Sequence, residues 1–338
     1  MLTKLEKLEI KIQNTKNLRN ITRVEILALT EANDSTQSYP IKSYTIGTTN
    51  NKAPVMFFVG GVHGLERIGA ELCYSILKTT LDRLLWDHSL ENILSTVRLV
   101  FIPLANPYGY FHFRRSNPNG VDLMRNSPVI AEEKTPYLLG GHKISSKLPW
   151  YQGDSSQMEI ESQAILKKFE IECRESVAVI SLDFHSGFGF KDRLWFPYSN
   201  SRKEFHHLPE ISSLIELFEQ SYPYHIYKIE PQCEGYLISG DLWDHIYFEH
   251  QKHNTNTYLP LTLEMGSWNW VKKNPLQLFT RDGLFNPVKD HRRDRTFRRH
   301  HLLFDFLMRG LYSHEKWAKL IPSDRALNLI RGRKKWYE

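Results

Sequence analysis

The sequence predicts an α/β fold, a single domain with a mixed, mostly parallel twisted β-sheet flanked by helices on both faces. Three observations lead there. The run 55-VMFFVGG-61 is continuously apolar, as a strand covered on both faces is, 97-VRLVFIPL-104 reads as another buried strand, and 177-VAVISLDF-184 as a further one. Segments with helical periodicity separate such runs. No Gly-, Pro- or Ser-rich linker divides the 338 residues, which are ample for one large core.

Taken in order, residues 1–22 form a polar arm, read either as a short helix or as a frayed end. The stretches 23–29 and 41–47 alternate as strands, and 55–61 follows as a buried one. A helix is expected from Gly69 to about Leu81, with Ile68, Leu72 and Ile76 on its inner stripe. After the strand at 97–104, residues 105–157 are rich in turn signals such as NPYGY and SNPNG. A helix from Met158 to Cys173 leads into the strand at 177–184. A helix over 210–222, a strand at 224–229, a helix near 240–249 and a strand at 259–265 come next. A basic helix from Arg295 to Leu311 closes the domain, which spans 23–315, and 316–338 is a basic tail.

In such sheets the binding crevice lies beyond the carboxyl ends of the strands. Three strand ends carry polar residues there: His63 and Glu66 in "VHGLE", His185 in "LDFHSG", and Glu264 in "LTLEMG". Two histidines and one carboxylate, with a fourth position open, form a known catalytic zinc set. His63, Glu66 and His185 supply it, and Glu264 is left as a base. Each residue alone has a plainer reading. A histidine after a strand is commonly a hydrogen-bonded rim residue, and a glutamate can cap a helix or pair with a cation. Asp183, two residues before His185, is a candidate to orient a ligand histidine. Asp122 and Asn106 read as turn formers. Trp268 and Trp270 read as core residues or as part of a pocket.

The ordered motifs HGLE, NPYGY, RRS, GVDLMRN, DFHSG and LTLEMG resemble the zinc metallocarboxypeptidase family, relatives of carboxypeptidase A, from about residue 41 to 310. The resemblance implies that fold, one Zn2+ per chain, and ligands His63, Glu66 and His185. It implies that Glu264 is the general base for attack by a metal-activated water on a C-terminal peptide bond. It gives Arg125 the substrate's terminal carboxylate, with Asn126 or another loop expected to compensate for the donor lost at position 124, and either Arg114 or Arg115 the oxyanion, with Arg115 the better register. Tyr247, in 244-DHIY-247, matches a mobile tyrosine that closes over substrate, although its distance along the chain to Glu264 is short for the family. The family box reads D-x-N-R-N, whereas Met124 stands before Arg125 here. A methionine donates no hydrogen bond. A zinc amidase or deacylase acting on small acylated amino acids or cell-wall-type peptides is therefore the alternative.

The remaining features narrow the classes. Net charge is +6, and the basic clusters 291–301 and 328–338 read as solvated helix faces, so no nucleic-acid partner is expected. No apolar run spans a bilayer and the first residues lack an apolar signal core, so neither membrane nor secretion is expected and the cytoplasm is the default. Three dispersed cysteines read as core thiols. The residues before the matched region are too few for a pro-domain, which predicts a narrow substrate range set by the loops 105–157 and 231–258.

Overall fold

In the computed structural model, which describes residues 1–31, 37–153, 157–281 and 283–338, eight strands form one sheet. They are β1 (Thr22–Glu31), β2 (Ser38–Gly47), β3 (Val55–Gly60), β4 (Arg98–Ile102), β5 (Ala178–Ser186), β6 (Arg193–Phe196), β7 (Lys228–Pro231) and β8 (Thr257–Met265). Their order across the sheet is β1-β2-β4-β3-β5-β8-β6-β7. The central run β4, β3, β5, β8 is parallel, whereas β1, β2 and β6 join by antiparallel pairing.

The helices are α1 (Leu2–Asn14), α2 (Lys16–Ile21), α3 (Arg67–Arg83), α4 (His88–Leu94), α5 (Pro107–His112), α6 (Ile160–Cys173), α7 (Leu208–Ser221), α8 (Leu242–His253), α9 (Trp268–Lys273), α10 (Asp290–Tyr312) and α11 (Pro322–Trp336). Every residue of β3 and β5 is buried, and side-chain alternation explains why. Phe57 meets Phe169 of α6 at 5.4 Å between ring centres, while its neighbour Phe58 meets Phe304 of α10 at 5.6 Å. Each face of the central sheet thus has its own helical layer. No helix among the described residues is long and apolar enough to cross a membrane. All three cysteines are buried and free.

Several local expectations need correction. The segment 224–229 does not form a strand throughout: Tyr224 is solvent-exposed, and β7 begins only at Lys228. Strand β6, which pairs with both β7 and β8, is absent from the sequence reading. Both chain ends pack onto the core. Leu5, Leu8 and Ile12 of α1 are buried, and Trp336 of α11 donates through Nε1 to the Ile229 carbonyl at 2.8 Å. The charges of α11 meet acids in and beside α7: Arg325 with Glu210, Arg331 with Glu216, Arg333 with Glu204 and Lys335 with Glu219.

Candidate metal centre and cleft

The site is built where β3, β5 and β8 end side by side. Parallel pairing sets Gly60 opposite Phe184 and His185 opposite Glu264. The chain leaves β3 through Gly61, whose φ of +67° suits glycine, and delivers His63 and then Glu66 at the start of α3. Gly69 lets that helix approach β5: a Cβ there would stand 2.3 Å from the Phe184 carbonyl oxygen.

His63, Glu66 and His185 converge. Nδ1 of His63 is 2.8 Å from Glu66 Oε1 and 3.2 Å from Nδ1 of His185, which is 3.0 Å from Glu66 Oε2. One ligand-competent atom from each residue lies within 4.8 Å of the others. Each far ring nitrogen faces a carboxylate. Nε2 of His63 is 3.0 Å from Asp122 Oδ1, and Nε2 of His185 is 2.6 Å from Asp183 Oδ2. Those carboxylates favour the proton on Nε2 and turn both Nδ1 lone pairs inward. Two imidazoles and a carboxylate facing one another make the donor set of a candidate metal site. Arg115 Nη2 also lies 2.8 Å from His63 Nε2, and its N–H can donate there only when the imidazole proton sits on Nδ1, so Arg115 and Asp122 favour opposite tautomers of His63.

The electrostatics of the cluster are tightly coupled. The buried carboxyls of Glu66, Asp122 and Asp183 face the two imidazoles, and Arg115 bonds both Glu66 and Asp122. Burial pushes the Glu66 carboxyl up, but His63 and His185 beside it more than reverse this and hold it low. Burial likewise opposes charge on Asp122, and Arg115 and His63 overcome it. Burial would lower His185, yet Asp183 and Glu66 raise it well above the ordinary value. Glu264 behaves differently. Burial and the nearby charge of Glu66 push its carboxyl up to about 8, and its Oε1 accepts from the Phe188 N–H at 2.9 Å. A carboxylate so placed is a proton acceptor whose basicity depends on what lies between it and Glu66.

A cleft of about 370 Å³ opens over this cluster, and Arg115, Arg125, Tyr236 and Glu264 line it. Of the paired arginines, Arg115 is brought to the cluster, bonding Asp122 Oδ2 at 2.8 Å and Glu66 Oε1 at 3.1 Å, whereas Arg114 is exposed and reaches the Tyr108 hydroxyl instead. Arg125 reaches the cleft with its guanidinium resting on the Leu139 and Met124 carbonyls. Asn126 is not brought to the cleft. Its amide donates to the Gln152 carbonyl and accepts from the Glu159 N–H.

Tyr247 is not brought there either. It is buried on α8 with its hydroxyl 2.9 Å from Nδ1 of His207. The D-x-x-Y pattern falls on the inward stripe of a helix, so a core tyrosine satisfies it equally well. Tyr236 is the tyrosine at the cleft, half-buried and 5.9 Å from the Phe188 ring. The signal for it was the short spacing from Tyr247 to Glu264, together with Gly235 and the Ser239-Gly240 turn around Tyr236. Asp122 does cap a turn, accepting from the Met124 N–H at 3.0 Å, but it also holds His63 and Arg115. Trp243, unremarked in the sequence, donates to Asp183 at 2.7 Å and fixes it against His185. Trp268 lies half-exposed outside the cluster, and Trp270 is buried.

A profile of the zinc carboxypeptidase family matches residues 17–277. The chain belongs to that family. Among curated relatives it is 24% identical to carboxypeptidase SOL1 of Arabidopsis thaliana over 70% of this chain and 45% of that one. It is 23% identical to the catalytic chain of carboxypeptidase N from Rattus norvegicus, over 69% and 52%. The chain thus spans about half the length of the curated relatives it matches. Among solved structures, bovine thrombin-activatable fibrinolysis inhibitor superposes with a TM-score of 0.62 at 19% identity, covering 92% of this chain and 97% of that one. Carboxypeptidase A from Helicoverpa armigera gives 0.64 at 17%, covering 93% and 73%. At these identities the superpositions speak for the α/β fold.

Proposed function

We propose that this family member is a zinc-dependent metallocarboxypeptidase that removes a residue from a peptide's C-terminus. The observation that carries the reading is the pair of inward-facing Nδ1 atoms with Glu66 between them, in one cleft with Glu264 and Arg125. Zinc held by His63, Glu66 and His185 would supply Lewis-acid activation of water and of the scissile carbonyl. Asp122 and Asp183 hold the ligand rings in the tautomer that presents Nδ1. Glu264 takes a proton from the attacking water at its carboxylate and returns it to the leaving amine. Arg115 adds positive charge beside the carbonyl oxygen as it becomes anionic. Arg125 exchanges its carbonyl contacts for the terminal carboxylate, which suits a planar guanidinium. Tyr236 covers the bound substrate.

Met124 favours a second reading, an amidase or deacylase of small acylated amino acids, because the side chain beside Arg125 donates nothing to a carboxylate. The two readings separate in one screen of matched free, C-terminally amidated and N-acylated substrates. Glu264→Gln is expected to keep zinc and lose turnover by roughly 10²–10⁴-fold. Amides cleaved as fast as free acids would overturn the carboxypeptidase reading. Full turnover in Glu264→Gln would overturn the role of Glu264 in both.

A further inference from the structure

The helix that carries Glu66 starts without a cap of its own. A helix start leaves four backbone N–H groups without intrahelical partners, and a Ser, Thr, Asp or Asn at the N-cap commonly accepts from the second or third of them. Glu66 is the N-cap residue of α3, yet its side chain makes no such bond. Its carboxylate points the other way, to Nδ1 of both histidines and to the Ser186 N–H at 2.9 Å.

The missing cap comes from far along the chain. Asn286 Oδ1 accepts from the Ile68 N–H, the second of the helix, at 2.9 Å. Its Nδ2 donates to the Leu65 carbonyl at 2.8 Å, so the two bonds bracket Glu66. Asn286 is buried, and its backbone carbonyl accepts from Nε2 of the buried Gln277 at 3.2 Å. The preceding residue fastens the other ligand strand, with the Phe285 carbonyl accepting from the Ser186 hydroxyl at 2.8 Å, next to His185.

We propose that Asn286 is a positioning residue for the metal site: by capping α3 from outside, it leaves the Glu66 carboxylate free to face the two histidines. The inference deepens the metallopeptidase reading and rests on it. Two demands compete for Glu66. A buried N–H at a helix start favours an anionic oxygen, and Glu66, two residues before Ile68 at the N-cap, carries one. Turning to meet it withdraws a ligand atom from between the Nδ1 pair.

The test is zinc affinity, measured by titrating chelator-stripped protein against a chromophoric chelator, with the melting temperature of the metal-free protein recorded alongside. Asn286→Ala is expected to bind zinc about 10–100-fold more weakly than the parent, the usual range for loss of a group that orients a ligand. Asn286→Asp, which keeps an acceptor for the Ile68 N–H, is expected to recover most of that loss although it also forfeits the bond to Leu65. A merely structural residue would lower the melting temperature in both variants and leave zinc affinity of the folded protein alone. Parental affinity in Asn286→Ala, or Asn286→Asp as weak as alanine, overturns the proposal. Should the alanine variant fail to fold, Asn286→Ser, whose hydroxyl is too short to reach both groups, is judged by the same criterion. A parent that binds zinc but cleaves no peptide refutes the proposed function and leaves this inference standing, whereas a parent that takes up no zinc refutes both.

Discussion

On the proposed reading, the residue beside Arg125 sets how firmly a substrate's terminal carboxylate is held, and replacing Met124 tests that reading directly. The side chain is buried and lines the cleft next to Arg125, whose Nη1 lies 3.4 Å from the Met124 carbonyl. Met124→Asn places an amide donor beside the guanidinium. A hydrogen bond to a charged group contributes about 1.5–3 kcal/mol, and each 1.4 kcal/mol is about tenfold. The expected gain in kcat/KM for peptides with a free terminal carboxylate is therefore about 10- to 150-fold, with no matching gain for their amides. Lost apolar burial opposes this. Full burial of a methionine is worth about 1.5–3 kcal/mol, and an asparagine retains part of it. Against a typical stability of about 5–15 kcal/mol the variant stays folded. The turn itself persists, because the backbone N–H of residue 124 is tied to Asp122 Oδ1. The assay compares initial rates on matched free and amidated peptides well below KM, after zinc content and melting temperature are checked. An unchanged free-to-amide ratio in a folded, zinc-loaded variant would refute the reasoning, since residue 124 would then not face the terminal carboxylate.

Three further outcomes follow from the same geometry. Asp183→Ala removes the partner of His185 Nε2 and leaves the Trp243 indole N–H without an acceptor, so zinc affinity should fall about 10–100-fold in a chelator competition; unchanged affinity would mean that His185 needs no such support. Tyr236→Ala should lower kcat/KM with little change in melting temperature, whereas Tyr247→Phe, which loses a buried bond to His207, should cost about 1 kcal/mol of stability and leave kcat/KM alone; the reverse pattern would restore Tyr247 as the substrate-facing tyrosine. His300 is held neutral by burial, with its pKa lowered to about 4, and His207 is lowered to about 3. Between about pH 6.5 and those values the unfolded chain binds protons that the folded chain does not, so stability falls as pH falls, by about 2 kcal/mol per histidine between about pH 7 and 5. Urea unfolding at the two pH values, for the parent and His300→Asn, measures this, and an equal slope in both would refute the assignment.

What could be read in the sequence was what short-range pattern controls. Strand β3 announces itself by an uninterrupted apolar run because both its faces are covered, β5 and β8 read as strands from shorter apolar stretches, and the polar residues at the ends of all three then stand out. Strand β6 left no such mark. It has four residues, and it is a strand only because β8 and β7 flank it, which no local pattern records. The segment 224–229 shows the converse, since aromatic and branched residues gave it strand character while Pro223 and the turn from Tyr222 to His225 kept its first half out of the sheet. Tyr247 failed for a related reason. A spacing of three within a helix says which face a residue takes, not whether that face meets a cleft or the core.

The residues that sequence reasoning passed over share one physical property: each acts through a partner that only the fold supplies. Asp122 looks complete as a turn former, because its bond to the Met124 N–H is local, and its hold on His63 spans 59 residues. Trp243 meets Asp183 across 60 residues, and Asn286 meets Ile68 across 218. His63, Glu66 and His185 could each be replaced by a rim residue of similar polarity without disturbing any short-range pattern. The same is not true of the set as folded. Both candidate ligand rings are backed by buried acids, one of those acids is fixed by an indole, and the helix behind the third candidate ligand is capped from outside. The strongest argument for a metal here is therefore the supporting groups rather than the ligands, because a rim of hydrogen-bonded histidines would need none of them.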